Sequence, residues 1–137
     1  SRLRWLRAAV RHEPGFRVWD GEIKRGGVSR SIDTVRQLQG ELGQDCQLYW
    51  LLGQDQAARL KSWKEPQALA KAVIFGVFSR PQTSRPALSS FRHRWIKSPL
   101  IEISSSEIRL KIKRKKSVAG LVPQSISRDK VLFRTFR

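Results

Sequence analysis

Two apolar runs separated by a helical pattern constrain the fold of this chain most. The runs cover residues 48–52 and 73–78, and they contain almost no polar side chains. Strands with this composition are typical of parallel sheets, which are covered on both faces. Between the runs, residues 54–62 predict a short helix, and Pro66 suits the first turn of another that reaches about residue 71. Strands that alternate with helices predict an α/β protein with a parallel sheet and right-handed crossovers.

Periodicity predicts the remaining elements. Apolar residues at helical spacing indicate a helix over residues 2–12, which Pro14 and Gly15 end. Residues 16–23 alternate partly and predict a strand. Ser29 or Ser31 is expected to cap a helix that carries Ile32, Val35, Leu38 and Leu42 on one face. Residues 80–90 predict a loop, residues 99–103 a short strand, and two helices are expected to finish the chain.

A run of hydroxyls follows the strand predicted at 99–103. Ser104 and Glu107 have the spacing of a capping box, so a helix is expected to start there. The free N–H groups and the dipole of a helix start favour a bound anion. Arg109 in the second turn offers a planar, bidentate group for a phosphate. An ordinary capped helix is the alternative interpretation.

Chain length and cysteine content bound the class of protein. The 137 residues fit one domain that can bury a core, and 39% apolar content is typical of a globular protein. The single cysteine, Cys46, excludes an intrachain disulfide and is expected to pack as a small apolar residue. This favours the cytoplasm or another reducing compartment, an organelle included. No apolar run reaches the length of a membrane span, so no membrane partner is expected.

The charge is unusually positive. Lys and Arg total 28 against 11 acidic residues, for a net charge of +17. Such a charge attracts nucleic acid through counterion release, although a solvated basic surface has the same composition. The residues expected to contact RNA or a ribonucleoprotein form one dense cluster: Lys111, Lys113, Arg114, Lys115 and Lys116.

Several motifs in order resemble those of bacterial nicotinate-nucleotide adenylyltransferases, a branch of the nucleotidyltransferase α/β phosphodiesterase superfamily. Residues 103–109, Ile-Ser-Ser-Ser-Glu-Ile-Arg, resemble the C-terminal signature of that family. Residues 22–34 resemble its strand-end segment with a hydroxyl-bearing turn that opens a helix. Residues 53–55 resemble its Gly-x-Asp turn, residues 60–64 its tryptophan segment, residues 77–81 its Arg-Pro motif and residues 121–123 its last turn. The resemblance covers about residues 2–131.

The resemblance implies a Rossmann-like parallel sheet with flanking helices whose first strand–helix unit is missing. The family's His-x-Gly-His signature does not occur, and His12 and His93 stand in other contexts. We expect a fragment, a processed chain, or a relative that lost its catalytic half. On the first account residues 1–137 form one incomplete nucleotidyltransferase-like domain, inactive alone. Residues 1–98 would be the remaining core, and residues 99–137 the C-terminal strand, the Ser-Ser-Ser-Glu-Ile-Arg helix and the last helix.

Family function implies a role for each matched residue. Such enzymes join nicotinate mononucleotide to ATP with Mg²⁺, releasing pyrophosphate and deamido-NAD. Ser104, Ser105, Ser106 and Arg109 would hold ATP phosphates, and Asp55 would contact a ribose or adenosine hydroxyl or help to place the metal. Ser31 would meet the nicotinate carboxylate, Trp63 would stack on the pyridine ring, and Arg80 would lie near the mononucleotide phosphate. No metal site formed by the chain alone is expected, since Mg²⁺ would arrive with ATP.

Alternatives remain open for several of these residues. Asp55 is equally suited to cap the helix that follows it, and Trp63 has the composition of a packed core aromatic. Arg30 stands where the family has tyrosine, and it suits either the substrate carboxylate or a basic surface. The competing hypothesis for the whole chain is a catalytically dead module that binds RNA through its basic cluster.

Overall fold

The computed structural model describes residues 2–43, 45–79, 84–97 and 103–128. The chain divides into two compact units. One comprises Gly21–Leu100 and holds the sheet. The other comprises Ser1–Asp20 together with Ile101–Arg137.

A three-stranded parallel sheet organises the first unit. Its strands are β1 (Leu48–Gly53), β2 (Val73–Phe78) and β3 (His93–Ile96), and they lie in the order β1-β2-β3. Leu48 is paired with Val73, and Phe75 with His93. The connection between β1 and β2 contains α4 (Gln54–Ala57), a 3-10 turn (Leu60–Ser62) and α5 (Pro66–Ala72), with Pro66 in the first turn of α5. The predicted α/β class with a parallel sheet is confirmed.

One face of the sheet forms the main core. Val73, Phe75 and Val77 of β2 are fully buried, as period-two alternation requires. Ile32 and Val35 of α3 (Ser31–Leu42) and Leu69 of α5 belong to the same cluster. The Phe75 ring meets the Phe91 ring edge to face, with centroids 5.7 Å apart. The helices therefore lie where their apolar stripes cover β2.

The opposite face of β1 is not covered in the same way. Tyr49 and Leu51 are 49% and 60% exposed, whereas Leu52 is buried. The prediction of a strand at residues 48–52 is confirmed, but the expectation that it is buried on both faces is wrong. Among the described strands, β1 pairs only with β2 and therefore lies at an edge of the sheet. An apolar composition at this position does not require that every side chain is buried.

The strand predicted at residues 16–23 is wrong. Residues 16–20 have no regular structure, and α2 (Gly21–Arg25) follows them. The side chains of α2 bind α3: the Arg25 guanidinium donates to Thr34 Oγ1 (3.1 Å) and to Gln37 Oε1 (2.8 Å). Partial alternation did not distinguish this segment from a short helix, because such a pattern fits both over few residues.

The third strand was not predicted. β3 is only four residues long and includes His93 and Arg94, so its composition does not indicate a strand. The strand expected at residues 99–103 falls mostly outside the described residues, and Ile103 has no strand structure. Residues 80–83 of the predicted loop are also outside them, and residues 84–90 contain no helix or strand.

The second unit contains the two chain ends. Its described helices are α1 (Arg2–Val10), α6 (Ser105–Lys113) and α7 (Gln124–Ser127). Ile112 and Val118 are buried in a small cluster, against which Trp5 and Ile126 pack. The Ser125 hydroxyl of α7 donates to the Ala8 carbonyl of α1 at 3.2 Å, and Arg7 pairs with Asp20 at 3.2 Å. The predicted N-terminal helix and the helix start at Ser104 are confirmed.

Two tryptophans and the single cysteine differ in their burial. Trp50 and Trp95 are partly buried and pack against the main core. Cys46 is exposed, so the expectation that it packs as an apolar residue is wrong. It lies two residues before β1, in a segment without regular structure. Among the described helices, none combines the length and apolarity needed to cross a membrane.

Candidate functional site

A cavity of about 210 Å³ lies between the start of α3 and the turn before α5. Ser31 is the first residue of α3, and Trp63 directly follows the 3-10 turn. The structure therefore brings together two side chains that the sequence separates widely. The residues lining the cavity are Ser29, Arg30, Ser31, Ser62, Trp63, Lys64 and Leu69.

The N-cap of α3 is Arg30, not Ser29 or Ser31 as predicted. Arg30 has extended backbone angles (φ −114°, ψ 139°), and its side chain makes no capping hydrogen bond. The Arg30 carbonyl accepts from the N–H groups of Asp33 and Thr34 at 3.1 and 3.2 Å. With those two N–H groups bonded, the N–H groups of Ser31 and Ile32 remain as the donors at the start of α3 that have no acceptor within the helix.

Trp63 is half-buried and packs against the main core. The buried Leu60 anchors the turn that carries it, and the Trp63 N–H donates to the Leu60 carbonyl at 3.1 Å. Trp63 packs against the main core and also lines the cavity. This position is compatible with a packed aromatic and with a stacking surface.

Two ion pairs hold the Trp63 segment against α3. The Lys64 ammonium donates to both Asp33 carboxylate oxygens at 3.2 and 3.3 Å. The Arg36 guanidinium donates to the two oxygens of Glu65 at 3.1 and 2.6 Å. The second pair is bidentate, the geometry that fixes orientation best. Because Asp33 and Arg36 lie one helical turn apart, both pairs extend from the same side of α3.

The bidentate pair also shifts the pKa of both partners. The hydrogen bond from Arg36, and then its charge, lower the pKa of Glu65 below its ordinary value. The hydrogen bond to Glu65 raises the pKa of Arg36, which is protonated in any case. Both groups are exposed to solvent, so water and salt screen the pair. Its main effect is to orient the segment that Glu65 begins, in the left-handed conformation (φ 50°) just before Pro66.

Asp55 lies at the carboxyl end of β1, as the Gly-x-Asp pattern predicted. It is exposed in the first turn of α4, whose N-cap is Gly53, so the alternative of Asp55 as the cap is wrong. The neighbouring Gln54 is buried, and its side-chain amide donates to the Ser84 carbonyl at 2.7 Å. Sequence reasoning missed this anchoring role of Gln54, and only its place after an apolar strand could have suggested it.

The hydroxyl run forms the start of α6 in the other compact unit. Ser104 Oγ accepts from the Glu107 N–H at 3.1 Å, and the Glu107 carboxylate accepts from the Ser104 N–H at 3.1 Å, which completes a capping box. The Arg109 guanidinium donates to Ser106 Oγ at 3.3 Å and is exposed. Ser105 is the first helical residue. The structure thus groups the three serines and Arg109 on one helix end.

The basic cluster covers the end of α6 and the turn after it. Lys113, Arg114, Lys115 and Lys116 are exposed, whereas Lys111 is half-buried. Lys111, Arg114 and Lys116 line a second cavity of about 160 Å³ together with Glu107 and Leu110. These cations are therefore distributed around a helix end.

Two of the residues considered from the sequence remain, Arg80 and His93. Arg80 lies outside the described residues. His93 Nδ1 is 2.8 Å from the Phe91 carbonyl oxygen, and the His93 ring meets the Trp95 ring edge to face, so the contacts of His93 are structural. In the part of the chain that the structure describes, no group of three or more His, Cys, Asp or Glu side chains could hold a metal ion.

Comparison with known proteins places the chain among nucleotidyltransferases. Residues 1–111 match the family model for cytidylyltransferase-like proteins. A probable nicotinate-nucleotide adenylyltransferase of Bordetella petrii is 38% identical over 93% of this chain and 68% of that protein. The proteins of the same name from Opitutus terrae and Lactiplantibacillus plantarum are 34% and 35% identical. The Opitutus match covers 98% of this chain and 71% of that protein. The Lactiplantibacillus match covers 93% of this chain and 59% of that protein.

Solved structures show the same fold. The Plasmodium falciparum nicotinic acid mononucleotide adenylyltransferase complexed with NaAD has a TM-score of 0.59 at 20% identity. The match covers 79% of this chain and 57% of that one. The structure of that protein complexed with APC gives a TM-score of 0.54. The relatives and structures named do not include a nucleic-acid-binding module, so they give the RNA hypothesis no support.

Proposed function

This chain belongs to the cytidylyltransferase-like family, within its nicotinate-nucleotide adenylyltransferase branch, and we propose that it serves the reaction for which its relatives are named. In that reaction nicotinate mononucleotide and ATP give deamido-NAD and pyrophosphate. The observation that carries the proposal is the cavity lined by both Ser31 and Trp63, in a chain whose three relatives named above share this one name. RNA binding is not proposed, because only the net charge and the basic cluster after α6 favoured it.

The reaction requires little covalent chemistry from the protein itself. A phosphate oxygen of the mononucleotide attacks the α-phosphorus of ATP. A new P–O bond forms as the bond to the bridging oxygen of pyrophosphate breaks, and pyrophosphate leaves with that electron pair. Binding the two substrates in line and neutralising their charge supply most of the rate enhancement. Mg²⁺ enters as part of the ATP substrate and adds charge neutralisation on the phosphates.

The cavity beside α3 suits the pyridine half of the mononucleotide. The Trp63 face offers a flat aromatic surface for the ring. The Ser31 hydroxyl and the free N–H groups at the start of α3 suit a carboxylate, which the helix dipole also favours. We assign Ser31 and Trp63 to nicotinate mononucleotide, and Arg80 to its phosphate by resemblance alone.

The start of α6 suits the phosphates of ATP. Ser105 and Ser106 stand in the first turn, and Arg109 lies beside Ser106. We propose that these residues bind phosphate oxygens and that Ser104, whose hydroxyl caps the helix, contributes by holding its N–H groups in place. Asp55 is assigned to an adenosine hydroxyl or to Mg²⁺ placement, again by resemblance.

The proposal is tested in the complete gene product that carries these residues. Deamido-NAD and pyrophosphate are measured after adding nicotinate mononucleotide, ATP and Mg²⁺. Trp63→Ala should raise the KM for the mononucleotide by roughly tenfold, because a stacked aromatic contributes about 1 kcal/mol or more. Tyr49→Ala, on the exposed face of β1, is the matched control. It should change neither the KM for nicotinate mononucleotide nor the KM for ATP. The absence of any dinucleotide product in the unmodified protein would refute the proposed function.

A further inference from the structure

Arg30 occupies an unusual position at the cavity. Its backbone caps α3, but its side chain makes no capping hydrogen bond, and it lines the cavity with Ser31 and Trp63. Among the described residues, no carboxylate forms an ion pair with the Arg30 guanidinium, and the side chain is largely exposed. The guanidinium is therefore available to a ligand.

The other cation at the cavity is already neutralised. Lys64 also lines it, but both oxygens of Asp33 accept from its ammonium group. A pair of opposite charges at this distance leaves little net field at a third position. Arg30 and the partial positive charge of the α3 start remain to attract an anion.

The chemistry of Arg30 matches one feature of the substrate assigned to this cavity. A guanidinium presents two parallel N–H donors, which fit the two oxygens of a carboxylate. A carboxamide offers one acceptor and an NH₂ donor, so it cannot accept both bonds. A ligand that stacks on Trp63 would also exclude water from the guanidinium, and charge-assisted bonds gain strength as water leaves.

We propose that Arg30 is a specificity-determining residue that selects a pyridine ring with a carboxylate over one with a carboxamide. The proposal rests on the proposed function, because it assumes that the ring of a pyridine mononucleotide enters this cavity. It goes further by assigning the discrimination to the Arg30 side chain rather than to Ser31 and the helix start alone. Asp33 supports this selectivity indirectly, by neutralising Lys64.

The test compares two substrates in the complete gene product. Arg30→Gln removes the charge and keeps much of the length of the side chain. It should lower kcat/KM for nicotinate mononucleotide roughly ten- to a hundredfold, the effect of losing a charge-assisted bond, and leave that for nicotinamide mononucleotide nearly unchanged. The ratio of the two values should fall by the same factor. Arg30→Lys should restore part of the preference, since an ammonium keeps the charge without the fork.

Arg59→Gln is the matched control. Arg59 is an exposed arginine of the same unit that does not line the cavity, so its replacement should leave the ratio unchanged. An equal loss for both substrates in Arg30→Gln, or an unchanged ratio in both Arg30 variants, would overturn the proposal while leaving the proposed function intact. A protein that converts neither mononucleotide before mutation would overturn both.

Discussion

Replacing Ser104 with alanine should destabilise the protein through the capping box of α6. The Ser104 hydroxyl accepts from the Glu107 N–H at 3.1 Å, and no other group in that box replaces this bond. Loss of a serine N-cap costs about 1 kcal/mol, within a range of roughly 0.5–2. For a chain of 137 residues, that loss lowers Tm by about 3 °C.

Neighbouring positions supply the controls. Ser105→Ala changes the next hydroxyl, which takes no part in the box, and should leave Tm nearly unchanged. Ser104→Asn should restore Tm, because asparagine caps helices as well as serine does. Thermal unfolding followed by circular dichroism measures all three variants under one buffer condition.

The same variants separate capping from ligand binding. If Ser104 acts only by holding the helix start, Ser104→Asn should keep the wild-type KM for ATP in the complete gene product, whereas Ser105→Ala and Ser106→Ala should raise it. An unchanged Tm in Ser104→Ala would refute the capping argument. A raised KM in Ser104→Asn with normal Tm would mean that the Ser104 hydroxyl itself contacts phosphate.

Three further predictions follow from other contacts. Arg109→Ala should lower kcat/KM for ATP roughly ten- to a hundredfold, with partial recovery in Arg109→Lys; normal steady-state kinetics in both variants would place Arg109 on the solvated surface. Phe75→Ala should lower the free energy of unfolding in urea by about 3–5 kcal/mol, because Phe75 is fully buried. Tyr49→Ala should lower it by less than about 1 kcal/mol, and similar losses for the two variants would contradict the assigned core. Because Arg36 lowers the pKa of Glu65, that carboxylate stabilises the fold above its ordinary pKa of 4.5, and the contribution is lost as pH falls through the lower folded value. The Tm difference between wild type and Glu65→Gln, measured from pH 7 to pH 3, should therefore shrink toward the acid end, and a difference that grows there would refute the sign.

Helix starts and the β2 strand could be predicted from the sequence, because residues close together in the chain determine them. The capping box at Ser104 and Glu107 depends on a three-residue spacing, and it forms as predicted. Pro66 in the first turn of α5 and the apolar run of β2 were equally local signals. The parallel α/β class followed from alternation alone, since short crossovers allow few other arrangements.

Contacts between distant segments required the tertiary structure. The meeting of Ser31 with Trp63, and the pairing of Arg36 with Glu65, depend on how α3 packs over the sheet. No spacing rule relates those positions, because the helix and the turn are brought together by apolar residues that they bury in a shared core. β3 was missed for the same reason: its few residues become a strand because β2 presents a free edge to them.

The sequence by itself determined the order of most elements, the family resemblance and the residue types available for a site. Only the tertiary structure decided which of them meet, that Asp33 neutralises Lys64, and that Arg30 remains available beside Trp63. The physical reason is that composition and periodicity report on the environment of each residue along its own element. The choice of charge partners depends on side-chain distances across elements, and these exist only once the chain has packed.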